Sequence, residues 1–169
     1  LNNDEVAELD GDVFSSFKTL RACHPASAVK LLAPCIPSKV VAVGLNYRDH
    51  AKELGLAVPE EPIIFLKPPS TVVGPGGAIH YPAMSAQVDY EAELGVVIRD
   101  RTVNIDPEEA GDHILGYTCF NDVTARDLQV KDVQYTRAKG FDTFAPLGPW
   151  IETDLDPSAV PVRCLVNGE

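Results

Sequence analysis

Three acidic residues alternate along one short stretch of this chain, Asp89, Glu91 and Glu93 in VDYEAELGVV. Residues two apart on a β-strand share a face, so Glu91 and Glu93 point the same way, close enough to share one ion. Like charges side by side repel, so such a face is either fully solvated or a place where a cation is expected. A further carboxylate, Asp122, is embedded in the apolar run CFNDV, where an unpaired buried acid would be costly. Meeting Glu91 and Glu93, it would complete an all-oxygen set suited to a hard cation such as magnesium, manganese or calcium rather than zinc or copper. The alternatives are a solvated strand face for the glutamates and a turn position after Asn121 for the aspartate. Spacing leaves both open.

His50 and Glu53 lie three apart in NYRDHAKELG, on one face of an expected helix. A carboxylate beside a histidine fixes its tautomer and raises its basicity, as a general base requires; a surface ion pair is the plainer alternative. Lys139 in RAKGFDTF and Arg126 in TARD could hold an anionic substrate or stabilise an oxyanion, or be solvated surface charges. His24, His80 and His113 have no comparable partner nearby in sequence and are taken as structural. The GPGG of Gly74 to Gly77 lacks the lysine and hydroxyl residue of a phosphate loop and is expected to be a turn.

Several short elements must position these residues. VVAVGLN is expected to be a buried strand, and Asn46 a helix N-cap with Asp49 three residues on and Gly55 as the stop. IIFLK, VDYEAELGVVIRD and YTCFNDVT are expected strands, and ARDLQVKDV a polar, helical turn. DPEEAGDHILG could form a short helix capped by Asp106 with Pro107 at its first position, and VRCLVNGE is strand-like, entering an Asn-Gly turn. Residues 1–38 form a small N-terminal segment with a linker, and 39–169 the main domain. Many short strands with few helices indicate a mixed, β-rich fold and not a doubly wound one.

A chain of 169 residues that is 45% hydrophobic can bury a substantial core. Its formal charge of −11 argues against nucleic acid or an anionic membrane as the main partner. No apolar run spans a bilayer and the opening residues lack the pattern of a signal peptide, so a cytoplasmic protein is expected. Cys23, Cys35, Cys119 and Cys164 form no paired motif and are expected to be reduced and mostly buried. The first residue is Leu1 and the last residues stop inside an expected hairpin, so both ends read as cut.

Taken together, GLNYRDHAKELG, IIFLKPPSTVVGPG, VDYEAELGVVI, GYTCFNDVTARDLQ and RAKGFDTFAPLGPWI resemble the fumarylacetoacetate hydrolase family, in the family's order and over roughly residues 36 to 169. The resemblance implies a fumarylacetoacetase-like β-sandwich roll with short helices, usually a homodimer, that binds magnesium or manganese. Position by position, it puts metal ligands on Glu91, Glu93 and Asp122, leaving Asp89 out, a histidine and glutamate dyad on His50 and Glu53, and the active-site lysine on Lys139. Arg126 and Gln129 match positions near the substrate. A further aspartate ligand of the large two-domain fumarylacetoacetases has no equivalent here, which points to the single-domain branch. That branch holds acylpyruvases, oxaloacetate decarboxylases, and isomerases or decarboxylases acting on 2-hydroxyhepta-2,4-diene-1,7-dioate and its tricarboxylate precursor. Its members continue past VNGE with further strands, so a C-terminally incomplete catalytic domain is implied.

The implied function is a metal-dependent enzyme acting on small 2-oxo or β-diketo acids through a stabilised enolate, an isomerase or decarboxylase in first place. Acylpyruvate hydrolase or oxaloacetate decarboxylase is the nearer alternative. A catalytically silent β-domain used for binding or assembly is the alternative of another class.

Overall fold

A computed structural model describes residues 4–53, 55 and 57–169. Among them strands dominate and the helices are short, as the β-branched runs imply. The chain opens with a hairpin, β1 (Glu5–Gly11) against β2 (Phe17–Pro25), within the segment for which the sequence suggested no element. No side chain of this ribbon is fully buried.

β3 (Val40–Gly44) and β4 (Ile63–Lys67) pair antiparallel, with α1 (Arg48–Glu53) between them. Gly55 ends the helical turn as expected: its φ is 65°, and its N–H donates to the Lys52 carbonyl at 3.1 Å. The expected buried strand is only half so. Val41 lies opposite Leu66 and Val43 opposite Ile64, and all four face outward. The other face turns Lys67 inward, fully buried. A two-stranded ribbon has two faces, and alternation buries only one.

The main sheet has the order β5–β10–β8–β7. β7 (Ala92–Ile98) and β10 (Ala145–Glu152) flank β8 (Ile114–Asn121) antiparallel, and β5 (Val72–Val73) joins β10 in parallel. The stretch expected as one strand, VDYEAELGVVIRD, is divided. β6 (Val88–Asp89) pairs with β9 (Thr124–Ala125), while β7 pairs with β8, so Tyr90 and Glu91 occupy the point where the ladder changes partner. Two contacts stitch this seam: the Glu91 N–H donates to Asn121 Oδ1 at 3.0 Å, and the Asp122 N–H to the Glu91 carbonyl at 2.9 Å.

Other expectations need correction. Residues 107–113 form a 3₁₀ helix with Pro107 at its first position, but Asp106 makes no side-chain cap; its carbonyl accepts from the Glu109 N–H at 3.0 Å. Asn46 does not cap α1. Its amide nitrogen reaches Glu93 at 3.4 Å, and the first helical bond closes from the Ala51 N–H to the Tyr47 carbonyl at 3.0 Å. VRCLVNGE forms no strand, although its turn is present: Asn167 (φ 55°) and Gly168 (φ 90°) are left-handed, and Val166 and Glu169 exchange backbone hydrogen bonds. Cys23, Cys119 and Cys164 are exposed and Cys35 half-buried, the reverse of the expected burial; Cys119 sits on an outward position of β8. His24 and His113 do find carboxylates, Glu8 and Asp100, each at 2.7 Å. Gly74 to Gly77 is a turn as expected, closed by the Gly77 N–H on the Gly74 carbonyl at 3.1 Å.

The core comprises Val123, Ala125 and Leu128 around the start of α2 (Arg126–Lys131), Ala138 on α3 (Thr136–Lys139), and Phe144, with Val88 and Phe141 against them. It lies next in sequence to Asp122 and Lys139, so the best-packed part of the molecule carries the charged residues of interest. No described helix is long and apolar enough to cross a membrane.

Candidate active site

The end of β8 delivers Asp122, which is 5% exposed. Its cost of burial is offset by two ammonium groups: Lys67 reaches Oδ1 at 2.5 Å and Lys139 reaches Oδ2 at 2.6 Å. Lys139, at the end of α3, is itself 3% exposed. Its Nζ also donates to Glu91 Oε2 at 2.7 Å and Thr124 Oγ1 at 2.9 Å, and lies 5.0 Å from the centre of the Phe65 ring. Lys139 is therefore no solvated surface charge, and Asp122 no ordinary turn residue.

Glu91 completes its bonding through Arg126, whose Nη2 donates to Oε1 at 2.7 Å. The same guanidinium donates through Nε to Asp89 at 2.9 Å and through Nη1 to Gln129 Oε1 at 2.6 Å. Asp89 thus takes no place beside Glu93 but anchors Arg126. Burial alone would push the Glu91 carboxyl up; Lys139 and Arg126 together outweigh it and hold it below the usual carboxylate range.

Glu93 differs. Among the described residues its side chain has only Asn46 and Tyr47 beside it as polar partners. Burial pushes its carboxyl up, and the negative charges of Asp122 and Glu91 add to this. Asn46 and Tyr47 are delivered by Leu45, which adopts the left-handed region (φ 54°), unfavourable for a leucine and common where a site dictates backbone direction. Burial and the Glu93 charge also raise the Tyr47 phenol.

Glu91, Glu93, Asp122, Lys139, Arg126, Gln129 and His50 all line one cleft of about 600 Å³. Glu53 does not. The His50 Nδ1 to Glu53 Oε2 distance is 3.4 Å and both side chains are well exposed, so the pair stands at the rim with Glu53 behind His50. Sequence reasoning missed Lys67. Burial pulls its ammonium down to about 8, against the charge of Asp122, which favours the proton. A lysine closing the apolar run IIFLK was the available sign, since such a position is buried only if a partner waits there.

The donor set suits a hard cation in chemistry: three carboxylates line one cleft, one of them raised by burial and by the charge of the other two. Among the described residues no three acidic, histidine or cysteine side chains are gathered closely enough to hold an ion as they stand, because Lys139 occupies the space between Glu91 and Asp122.

The β-rich domain that carries this carboxylate and lysine cleft is of a known class. Residues 39–169 match the family described as fumarylacetoacetate (FAA) hydrolase C-terminal, and the chain belongs to this family. Oxaloacetate tautomerase fahd2, mitochondrial, of Xenopus laevis is 47% identical over 149 residues, covering 85% of this chain and 47% of the relative. The crystal structure of 2-hydroxyhepta-2,4-diene-1,7-dioate isomerase from Mycobacterium marinum matches with a TM-score of 0.82 at 44% identity, covering 91% of this chain and 57% of that one. The structure of 5-carboxymethyl-2-hydroxymuconate delta-isomerase from Mycobacterium smegmatis matches with a TM-score of 0.83 at 46% identity, covering 91% and 59%. The chain spans about half to two thirds of the length of the curated relatives it matches.

Proposed function

We propose that the protein is a metal-dependent enzyme that moves protons or breaks a carbon–carbon bond in small 2-oxo or β-diketo acids by way of an enolate, with isomerisation, tautomerisation or decarboxylation ahead of acylpyruvate hydrolysis. The observation that carries this reading is the convergence of Glu91, Glu93, Asp122, Lys139, Gln129 and His50 on one cleft. The names of its relatives, isomerases and an oxaloacetate tautomerase, support the reaction class.

Glu91, Glu93 and Asp122 would hold the divalent cation, magnesium or manganese by preference. Bound there, it would supply Lewis acidity toward the keto and carboxylate oxygens of a 2-oxo acid. Lys139, buried and held in the cation-free protein by Glu91, Asp122 and Thr124, lends positive charge to the developing enolate. His50 at the rim takes or returns the proton, with Glu53 orienting its ring. Gln129 spends its carbonyl on Arg126, so its amide hydrogens are the group that meets a substrate carboxylate. Arg126, tied to Asp89, Glu91 and Gln129, keeps Glu91 and Gln129 in place. The working assembly proposed is a homodimer.

The test is to assay full-length protein with magnesium against oxaloacetate, acylpyruvates and the heptadienedioate, alongside Glu91→Ala. Loss of activity by a factor of at least about 100 is expected; activity surviving the substitution would sink the assignment. A silent β-domain gains some support from the lysine pairing of Glu91 and Asp122, which satisfies both carboxylates structurally. Magnesium calorimetry separates the two readings: binding that Asp122→Asn leaves unchanged, or no binding, favours the silent domain.

A further inference from the structure

Lys67 is fully buried, does not line the cleft and has no part in the proposed chemistry. It closes β4 on the inward face of the ribbon, and its Nζ spans Asp122 Oδ1 at 2.5 Å and the Val123 carbonyl at 3.2 Å. Burying an ammonium is costly, and replacing it by an apolar side chain of like length would fill the same space, so its retention beside Asp122 asks for a reason. Charge supplies one. Around the cleft Asp89, Glu91 and Asp122 pair with Lys67, Lys139 and Arg126, and both oxygens of Asp122 are taken by ammonium groups.

We propose that Lys67 is the internal counter-ion of Asp122: from behind the cleft wall it neutralises this carboxylate when the cleft holds no cation, and its charge holds down the affinity for one. The inference rests on the reading that Glu91, Glu93 and Asp122 hold a divalent cation. Losing Lys67 has two opposed effects on such binding. An orienting contact to a ligand is lost, which costs roughly 10- to 100-fold in affinity. The positive charge that sits on one oxygen of Asp122 is also removed, and at an effective dielectric near 20 its repulsion of a divalent ion held by the same carboxylate would outweigh that loss. In the cation-free protein Lys139 also holds Asp122, through Oδ2, so the loss of Lys67 removes only one of the two contacts that orient this carboxylate.

The experiment uses full-length protein, freed of metal, with magnesium chloride as the probe, and compares Lys67→Met, Lys67→Arg, Asp122→Asn and the double variant Lys67→Met/Asp122→Asn by calorimetry and thermal melting. Lys67→Met should bind magnesium about tenfold more tightly than the wild type, and its loss of Tm should be large in EDTA and small in saturating magnesium. Lys67→Arg, which keeps the charge, should keep wild-type affinity. Should Lys67→Met fail to fold without metal, the double variant carries the test: removing the carboxylate along with its counter-ion should restore a cooperative melt. Weaker or unchanged magnesium binding by folded Lys67→Met, or equal Tm losses with and without magnesium, would overturn the proposal in favour of a packing role, as would a double variant that melts no better than the single one. A wild type that binds no magnesium overturns the cation reading itself, and the proposal with it; the two failures are told apart because the melting coupling between Lys67 and Asp122 is measured in EDTA.

Discussion

Glu93 is the carboxylate of the cleft that touches no ammonium or guanidinium among the described residues. Its carboxyl is raised, so the folded state holds this proton more tightly than the unfolded chain does. The stability this contributes is present below the ordinary carboxylate range and is lost as pH rises through the raised value, so at neutral pH the ionised Glu93 opposes folding of the cation-free protein. Glu93→Gln should raise Tm in EDTA at pH 7 by roughly 2–4 °C, and the gain should shrink toward zero at pH 4. A gain equal at both values would indicate altered packing and not charge. Alternation along VDYEAELGVV drew attention to the right stretch but implied one continuous strand face that the structure divides, and the family resemblance set Asp89 apart from Glu91 and Glu93. What the residues could not disclose is which cation answers which acid: Lys67 and Asp122 are 55 positions apart, and only the packed structure joins them.

At the scale of elements, the runs of β3, β4, β7 and β8 were legible because apolar, β-branched and aromatic residues are concentrated there, with Gly44 and Pro68 marking the ends of the first two. The division between β6 and β7 was not, since nothing local in VDYEAEL says that β8 ends at Asn121 and hands pairing over to β9. Asn46 misled for a related reason: a good capping residue had a distant carboxylate to serve. The sheet that carries Asp122 depends on a close approach at Gly116, where an added Cβ would stand 2.3 Å from the Glu152 carbonyl oxygen on β10. Backbone on both sides leaves little room to yield. Gly116→Ala should destabilise the protein by about 1–3 kcal/mol in denaturant or thermal melts, with β8 pushed away from β10. An unchanged melt would mean that the two strands can separate freely.

For the whole molecule, the outer face of the β3–β4 ribbon matters most. Val41, Val43, Ile64 and Leu66 stand there 42–65% exposed, and a two-stranded ribbon with a bare aliphatic face is unfavourable in water. This supports the proposed homodimer, which light scattering of full-length protein should show as twice the chain mass; a monomer at micromolar concentration would refute it. The net charge of −11 does not concentrate into one acidic patch at the cleft, where lysines and an arginine nearly match the acids. The seam at Glu91 has a consequence in time as well as in space. One of the two bonds that close it ends on the Asn121 side chain, so it opens by a rotamer change and not by the parting of a ladder. The amide of Glu91 should therefore exchange its hydrogen faster than the amides within β7 and β8, and hydrogen exchange at this position is the measurement that checks it.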